Sequence, residues 1–268
     1  MANSFLKWAG GKHWLVNNEG HRFPKIFNRY IEPFLGGGSV FFYIAPENAV
    51  LSDINEELIN TYVALRDDLD NVYTYLRKHQ CNNSKEYYYK VRESNPRTLA
   101  TKAARMIYLN KSCFNGIYRV NKAGKFNVPY GTERILNFEK TKFSEISKAL
   151  SKARIICQDF EATINNAEAE DFLFCDPPYA VIDENNRFIG YNADQFTWED
   201  QERLARCLIE AKNKGVLIMM TNVDHPKVRS LYDNDADFKL ASVDRKCVIS
   251  GSNEGRKTYR ELIVTANY

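Results

Sequence analysis

The chain has 268 residues with 44% apolar, 26% charged and 13% aromatic content and a formal net charge of +3, an ordinary globular composition. It is long enough for one large α/β domain, or for a core carrying an insertion. The near-neutral balance excludes a basic tail or histone-like binder, so any nucleic-acid surface has to be a local patch.

Six cysteines lie at 81, 113, 157, 175, 207 and 247 without a C-x-x-C pair, and four histidines occur without H-E-x-x-H. The expectation is therefore buried thiols in a reducing compartment and no metal site. There is no leader-like apolar run near the start, and no stretch approaches the roughly 18 apolar residues that span a bilayer. A cytoplasmic protein that does not enter a membrane is expected.

In chain order, residues 5–14 (FLKWAGGKHW) place a glycine pair between lysines and tryptophans, ahead of a helix starting near residue 12. Lys12 can meet an anion and Trp8 offers a stacking face, but the spacing is not that of a P-loop. A strand from Tyr30 runs through Glu32-Pro33-Phe34 into Leu35-Gly36-Gly37-Gly38 and an apolar helix start. Such a turn brings backbone amides close to a cofactor. A second strand, 49–52, ends at Asp53, where a carboxylate suits the two hydroxyls of a ribose.

From residue 56 the pattern turns helical, with apolar positions at three- and four-residue spacing read as one helix over 56–78, then helices over 86–92 and 100–111. Residues 110–131 interleave Lys, Arg and Asn with aromatics and glycines, with a hairpin expected across Asn121 to Lys125. The one-sided basic character of that run suits phosphate contact and base-edge readout, and equally a solvated hairpin. Alternating α/β periodicity resumes with a helix over 143–153 and a strand over 154–157, ending at Gln158-Asp159-Phe160.

Residues 172–179, FLFCDPPY, read as a strand buried on both faces and stopped by two prolines. Asp176 and Tyr179 are thereby delivered on a stiff turn beyond the strand's carboxyl end. A carboxylate, the constrained Pro177 carbonyl, the rigid Pro178 and an aromatic face can grip a flat ring bearing an amino group. Next come a helix over 197–213 capped by Thr197 with Asp200 three residues on, a buried strand over 216–221, and strands near 238–248 and 259–265. The last two flank a polar turn holding Arg256 and Lys257; with Lys246 these are candidate phosphate contacts or a solvated face.

FLKWAGGK, EPFLGGGSV, SDIN, NGIYRVN, FNVPYG and CDPPY, in that order, resemble the Dam-type (D12 class) DNA adenine-N6 methyltransferases. The resemblance implies an α/β, Rossmann-like S-adenosylmethionine-dependent methyltransferase core, residues 1–56 and 140–268, with a helical and β-hairpin target-recognition domain inserted at 57–139. It implies S-adenosylmethionine held by Trp8, Lys12, Phe34, Gly36, Gly38, Asp53, Asp159, Phe160 and Asp176. It places Asp176, Pro177, Pro178 and Tyr179 on a flipped adenine, and Phe114, Asn115, Ile117, Arg119, Asn121, Lys125, Pro129 and Arg256 on duplex DNA. GATC is the expected site, with Arg119 reading a guanine. A cognate restriction endonuclease in the same cell is a further partner the resemblance allows, alongside solitary roles such as those linked to DNA replication. A cytosine-N4 methyltransferase and a catalytically inactive DNA-binding relative are the alternatives.

The chemistry of the residues agrees. The exocyclic amine of adenine is a poor nucleophile, and acceptors at Asp176 and the Pro177 carbonyl can bind its N–H groups and favour a pyramidal nitrogen. No metal and no covalent intermediate are required, and Cys175, ahead of the carboxylate on the strand, is expected in the core.

Overall fold

A computed structural model of the chain describes residues 4–121, 123–131, 135–179, 196–246 and 258–268. Its elements begin with α1 (His13–Glu19), β1 (Tyr30–Glu32), α2 (Ser39–Ile44), β2 (Ala49–Asp53), α3 (Glu56–Asp67) and α4 (Leu69–Cys81). They continue with α5 (Lys85–Glu93), α6 (Leu99–Ser112), α7 (Lys140–Leu150), β3 (Ala153–Cys157), α8 (Phe160–Asn165) and β4 (Phe172–Cys175). The last are α9 (Trp198–Asn213), β5 (Leu217–Val223), α10 (Pro226–Arg229), β6 (Phe238–Lys246) and β7 (Thr258–Ala266). The chain is mixed α/β with a 7-stranded sheet, the α/β class expected. It divides into two compact units, Met1–Asn17 with Leu35–Cys157, and Asn18–Phe34 with Gln158–Tyr268.

In the first unit β2 and β3 pair in parallel from Ala49↔Ala153 to Asp53↔Cys157. Helix α3 starts where Asn55 accepts the Leu58 amide on its side chain, with Glu56 and Glu57 in the first turn complementing the helix dipole. The single helix expected over 56–78 is two. Asp68 leaves the helical region at φ −142°, ψ 44°, and its carboxylate accepts from the Asn71 side chain at 2.8 Å. Leu65, Leu69, Val72 and Leu76 keep helical spacing across the break, which conceals it from periodicity. The core of this unit includes Phe41, Phe42, Leu58, Tyr62, Leu65, Leu76 and Ile107, all fully buried. Their removal from water is the main favourable contribution to its folding.

In the second unit β4 lies between two parallel neighbours, β1 (Tyr30↔Phe172, Ile31↔Leu173) and β5 (Phe172↔Leu217 to Cys175↔Met220). All four of its residues are buried, as a continuous apolar run with no polar alternation requires. The antiparallel β7 pairs with β5, including Thr221↔Ile263 and Val223↔Glu261, and with β6 from Phe238↔Ala266 to Lys246↔Thr258. Helix α9 opens with the expected cap: Thr197 accepts from the Asp200 amide, and the Asp200 carboxylate accepts the Thr197 amide at 2.8 Å. No helix among the described residues is long and apolar enough to cross a membrane.

Candidate active site

The glycine turn after β1 is built around Trp8. Gly36 adopts φ +46°, and a Cβ there would fall 2.8 Å from Trp8 Cδ1, so only glycine lets the backbone approach the indole. The Trp8 ring stacks on Tyr118 at 4.9 Å between centroids and 23° between planes. Gly38, at φ +64°, is the N-cap of α2. The Tyr62 hydroxyl donates to the Gly36 carbonyl at 3.0 Å and fixes the turn from behind. Lys12 is 3% exposed and its ammonium donates to the Gly10 carbonyl at 2.9 Å.

At the carboxyl end of β2, Asp53 accepts the Gly36 amide on Oδ2 and the Asn55 amide on Oδ1, both at 3.0 Å. Burial raises its pKa above the ordinary carboxylate value, against the opposing effect of those amides. A buried carboxylate of this kind gains from further donors, which would offset its desolvation.

The sequence 110–131 folds against the same unit. Asn110, fully buried, accepts the Lys7 amide at 2.9 Å and donates to the carbonyls of Lys7 at 2.8 Å and Gly116 at 3.2 Å. It therefore ties the Trp8 segment to the turn carrying Phe114, Asn115 and Ile117. Asn115 sits at φ +57°, and Phe114 and Ile117 are exposed at 53% and 42%. Tyr118 Oη donates to Glu57 at 2.7 Å. The hairpin expected across Asn121 to Lys125 is present, with bridge Val120↔Phe126 and the Asn121 amide donating to the Lys125 carbonyl at 2.9 Å. Arg119, Asn121, Lys125 and Pro129 are all exposed on it. Arg119 Nε donates to Asn127 Oδ1 at 2.8 Å.

In the second unit, Phe34 stacks on Phe160 at 5.3 Å and 28°, and the Arg203 guanidinium covers the Phe160 ring at 4.2 Å from its centroid. Asp159 caps α8 through the Glu161 amide and takes a two-pronged bond from Arg203. Asp176 stands one residue beyond β4, and the Thr221 hydroxyl of β5 donates to its Oδ1 at 3.0 Å. Tyr179 Oη donates to Glu261 Oε2 of β7 at 3.1 Å. Pro177 is buried and Pro178 exposed. Cys175 is fully buried, and burial keeps its thiol protonated well above the ordinary range, the opposite of a nucleophile's environment. Arg256, Lys257 and Cys247 lie outside the described residues.

The structure thus assembles the expected residues in two clusters. Trp8, Lys12, Gly36, Gly38, Asp53 and the hairpin lie in the first unit; Phe34, Asp159, Phe160, Asp176, Pro177, Pro178 and Tyr179 lie in the second. It adds Asn110, Tyr118, Arg203, Thr221 and Glu261, which sequence reasoning passed over. Thr221 carried a signal, a polar residue closing the apolar run Val216–Met220; Arg203, one of several charges on an amphipathic helix, carried none. Among the described residues no group of three or more His, Cys, Asp or Glu could hold a metal ion.

The model of the D12 class N6 adenine-specific DNA methyltransferases matches residues 8–249. The chain is 36% identical to the Type II methyltransferase M1.LlaDCHI of Lactococcus lactis subsp. cremoris, over 98% of this chain and 95% of the relative. It is 34% identical to the Type II methyltransferase M.MjaIII of Methanocaldococcus jannaschii, over 98% of both. It is likewise 34% identical to a DNA adenine methylase of Haemophilus influenzae, over 97% of this chain and 92% of the relative. On this match and this coverage, the chain belongs to the D12 class of N6 adenine-specific DNA methyltransferases.

Proposed function

We propose that the chain transfers a methyl group from S-adenosylmethionine to N6 of an adenine flipped out of a short duplex site, GATC by its resemblance to Dam-type enzymes. The observation that carries this reading is Asp176 on a double-proline turn one residue past a doubly flanked central strand, its carboxylate held by Thr221. The Asp176 carboxylate and the Pro177 carbonyl are the acceptors for the two amine hydrogens. Drawing on both favours the pyramidal nitrogen that develops as the new bond forms, so they stabilise the transition state more than the ground state. Tyr179 offers its ring to the displaced base, offsetting part of the few kcal/mol that extrusion costs.

The residues present fit the cofactor. The buried Asp53 carboxylate, beside the Gly36 amide of the glycine turn, is suited to the donors of a ribose diol. Trp8, Lys12, Phe34, Gly38, Asp159 and Phe160 complete the proposed cofactor set. When bound, the sulfonium supplies an activated methyl group; everything else asked of the chain is positioning. Residues 57–139 are proposed as the target-recognition domain, with Arg119 as base reader and Phe114, Asn115, Ile117, Asn121, Lys125 and Pro129 around it. Exposed apolar and basic side chains on one turn and hairpin support that assignment. Relatives named Type II methyltransferase support a cognate restriction endonuclease in the same cell as part of the proposal.

The test is sequencing of modified adenines in DNA from cells expressing the protein, with Asp176→Ala beside it and digestion to nucleosides for mass spectrometry. One motif bearing N6-methyladenine, absent with Asp176→Ala, is the expected result. N4-methylcytosine, or no modified base, would overturn the reading.

A further inference from the structure

We infer that Thr221 and Glu261 are positioning residues for methyl transfer, Thr221 setting the Asp176 carboxylate and Glu261 setting the Tyr179 ring; this rests on the reading just proposed. Parallel pairing of β4 with β5 brings Cys175 opposite Met220, so one step further along both strands Thr221 comes level with Asp176. Thr221 and Val223 lie on one face of β5, and Glu261 is directly opposite Val223 on β7. The two polar side chains therefore share a sheet face. Both are buried, at 0% and 2% exposure, beside strand residues such as Met219, Ile263 and Val264 that are themselves buried.

A β-branched apolar residue would satisfy the strand at 221 as well as threonine does, and burying a hydroxyl or carboxylate is unfavourable without a partner. The hydroxyl finds Asp176 Oδ1 at 3.0 Å, and the Glu261 carboxylate accepts from Tyr179 Oη at 3.1 Å. Both bonds run from regular strands to the proline-stiffened turn. A donor on Oδ1 fixes the plane of the Asp176 carboxylate and so its direction toward the amine. Anchoring the phenol fixes the tilt of the ring that must receive the base. Groups that hold reactive side chains in place act on the chemical step more than on binding.

The experiment compares Thr221→Val, Thr221→Ser, Glu261→Leu and Glu261→Gln with the parent full-length enzyme on one duplex sequence, made with adenine at the target for transfer and with 2-aminopurine there for fluorescence. It measures single-turnover methyl transfer, cofactor and DNA dissociation constants, melting temperature, and fluorescence of 2-aminopurine placed at the target adenine. Loss of one hydrogen bond to a charged group corresponds to about ten- to a hundredfold in rate. Thr221→Val is expected to slow transfer by about that factor with both dissociation constants within about twofold, and Thr221→Ser to restore the rate. Glu261→Leu is expected to weaken the 2-aminopurine signal, and Glu261→Gln, which keeps an acceptor oxygen, to restore it. Should either apolar variant fail to fold, the Ser and Gln variants are compared with Thr221→Ala and Tyr179→Phe, each of which removes the same bond. Equal single-turnover rates with and without the Thr221 hydroxyl, or loss that follows melting temperature alone, would overturn the inference while leaving the parent's adenine methylation intact. A parent enzyme that methylates no adenine would instead overturn the reading beneath it.

Discussion

Arg203 donates from both terminal nitrogens to the two oxygens of Asp159, at 2.8 and 3.0 Å, while its guanidinium plane covers the neighbouring Phe160 ring. One side chain from α9 thereby orients both residues of the Asp159-Phe160 pair. The same guanidinium also meets Glu161 and Asp200, so its charge is shared among three carboxylates. These groups are partly solvated, and such pairs contribute about 1 kcal/mol or less to stability. Arg203→Leu is accordingly expected to leave chemical denaturation within about 1 kcal/mol of the parent. Calorimetric affinity for S-adenosylmethionine should fall about fivefold, the equivalent of ~1 kcal/mol. An unchanged affinity would show that Asp159 and Phe160 do not depend on this clamp.

The turn around Gly36 makes a sharper test. Alanine there has to adopt φ +46° and also displace the Trp8 indole, which lies 2.8 Å from where its Cβ would sit. The left-handed backbone alone costs about 1–2 kcal/mol, and moving Trp8 off Tyr118 adds to it. Gly124, at φ +71° with nothing within 4 Å of a Cβ, isolates the backbone component. Gly36→Ala is expected to destabilise the protein by more than Gly124→Ala, which should cost about 1 kcal/mol. Only the first should change Trp fluorescence. Equal losses in urea titrations would show that the indole yields freely.

These two positions also show what the sequence could and could not reveal. Gly36 was legible because a run of three glycines after a strand has few structural uses, and Asp53 because a lone acid closed an apolar strand. The β4 run was legible for a similar reason, since four apolar residues ended by two prolines admit few alternatives to a buried strand and a stop. Arg203 was not legible, because helical periodicity says which face is wet but not which charge meets a distant Asp159. The bond of Glu261 to Tyr179 was not legible either, because it depends on antiparallel pairing of β7 with β5, a long-range choice that local pattern does not encode. The break at Asp68 escaped because the apolar positions keep their phase across it.

His79 gives the fold a pH dependence of definite sign. Burial, with a smaller contribution from Lys78, lowers its pKa from 6.5 to about 4; its ring stacks on Tyr108 and its Nδ1 meets Tyr87 Oη at 2.9 Å. Between those two values the unfolded chain binds the proton and the folded chain does not. Stability contributed by the neutral ring is thus complete above about pH 6.5 and is lost as pH falls toward 4. The full loss is on the order of 3 kcal/mol. His79→Phe should flatten the denaturation midpoint over that window relative to the parent. Parallel pH profiles for the two proteins would mean that the ring is protonated in the folded state.

Arg119 is the position where specificity should change without loss of chemistry. Its Nε is committed to Asn127, and the Asn127 amide donates in turn to the Arg119 carbonyl at 3.1 Å. The side chain is thereby steered outward on the hairpin, with its two terminal nitrogens in the fork that matches the O6 and N7 acceptors of guanine. Arg119→Ala is expected to cost about 1–3 kcal/mol at one base pair and to broaden the methylated motif at that position alone. Asn127→Ala should broaden it more weakly, because the guanidinium keeps its charge and loses only its aim. Arg119→Lys should not restore the parent motif, since an ammonium offers no planar fork. Genome-wide sequencing of modified adenines reads all three variants in one experiment, and an unchanged motif in Arg119→Ala would place base reading elsewhere in the chain.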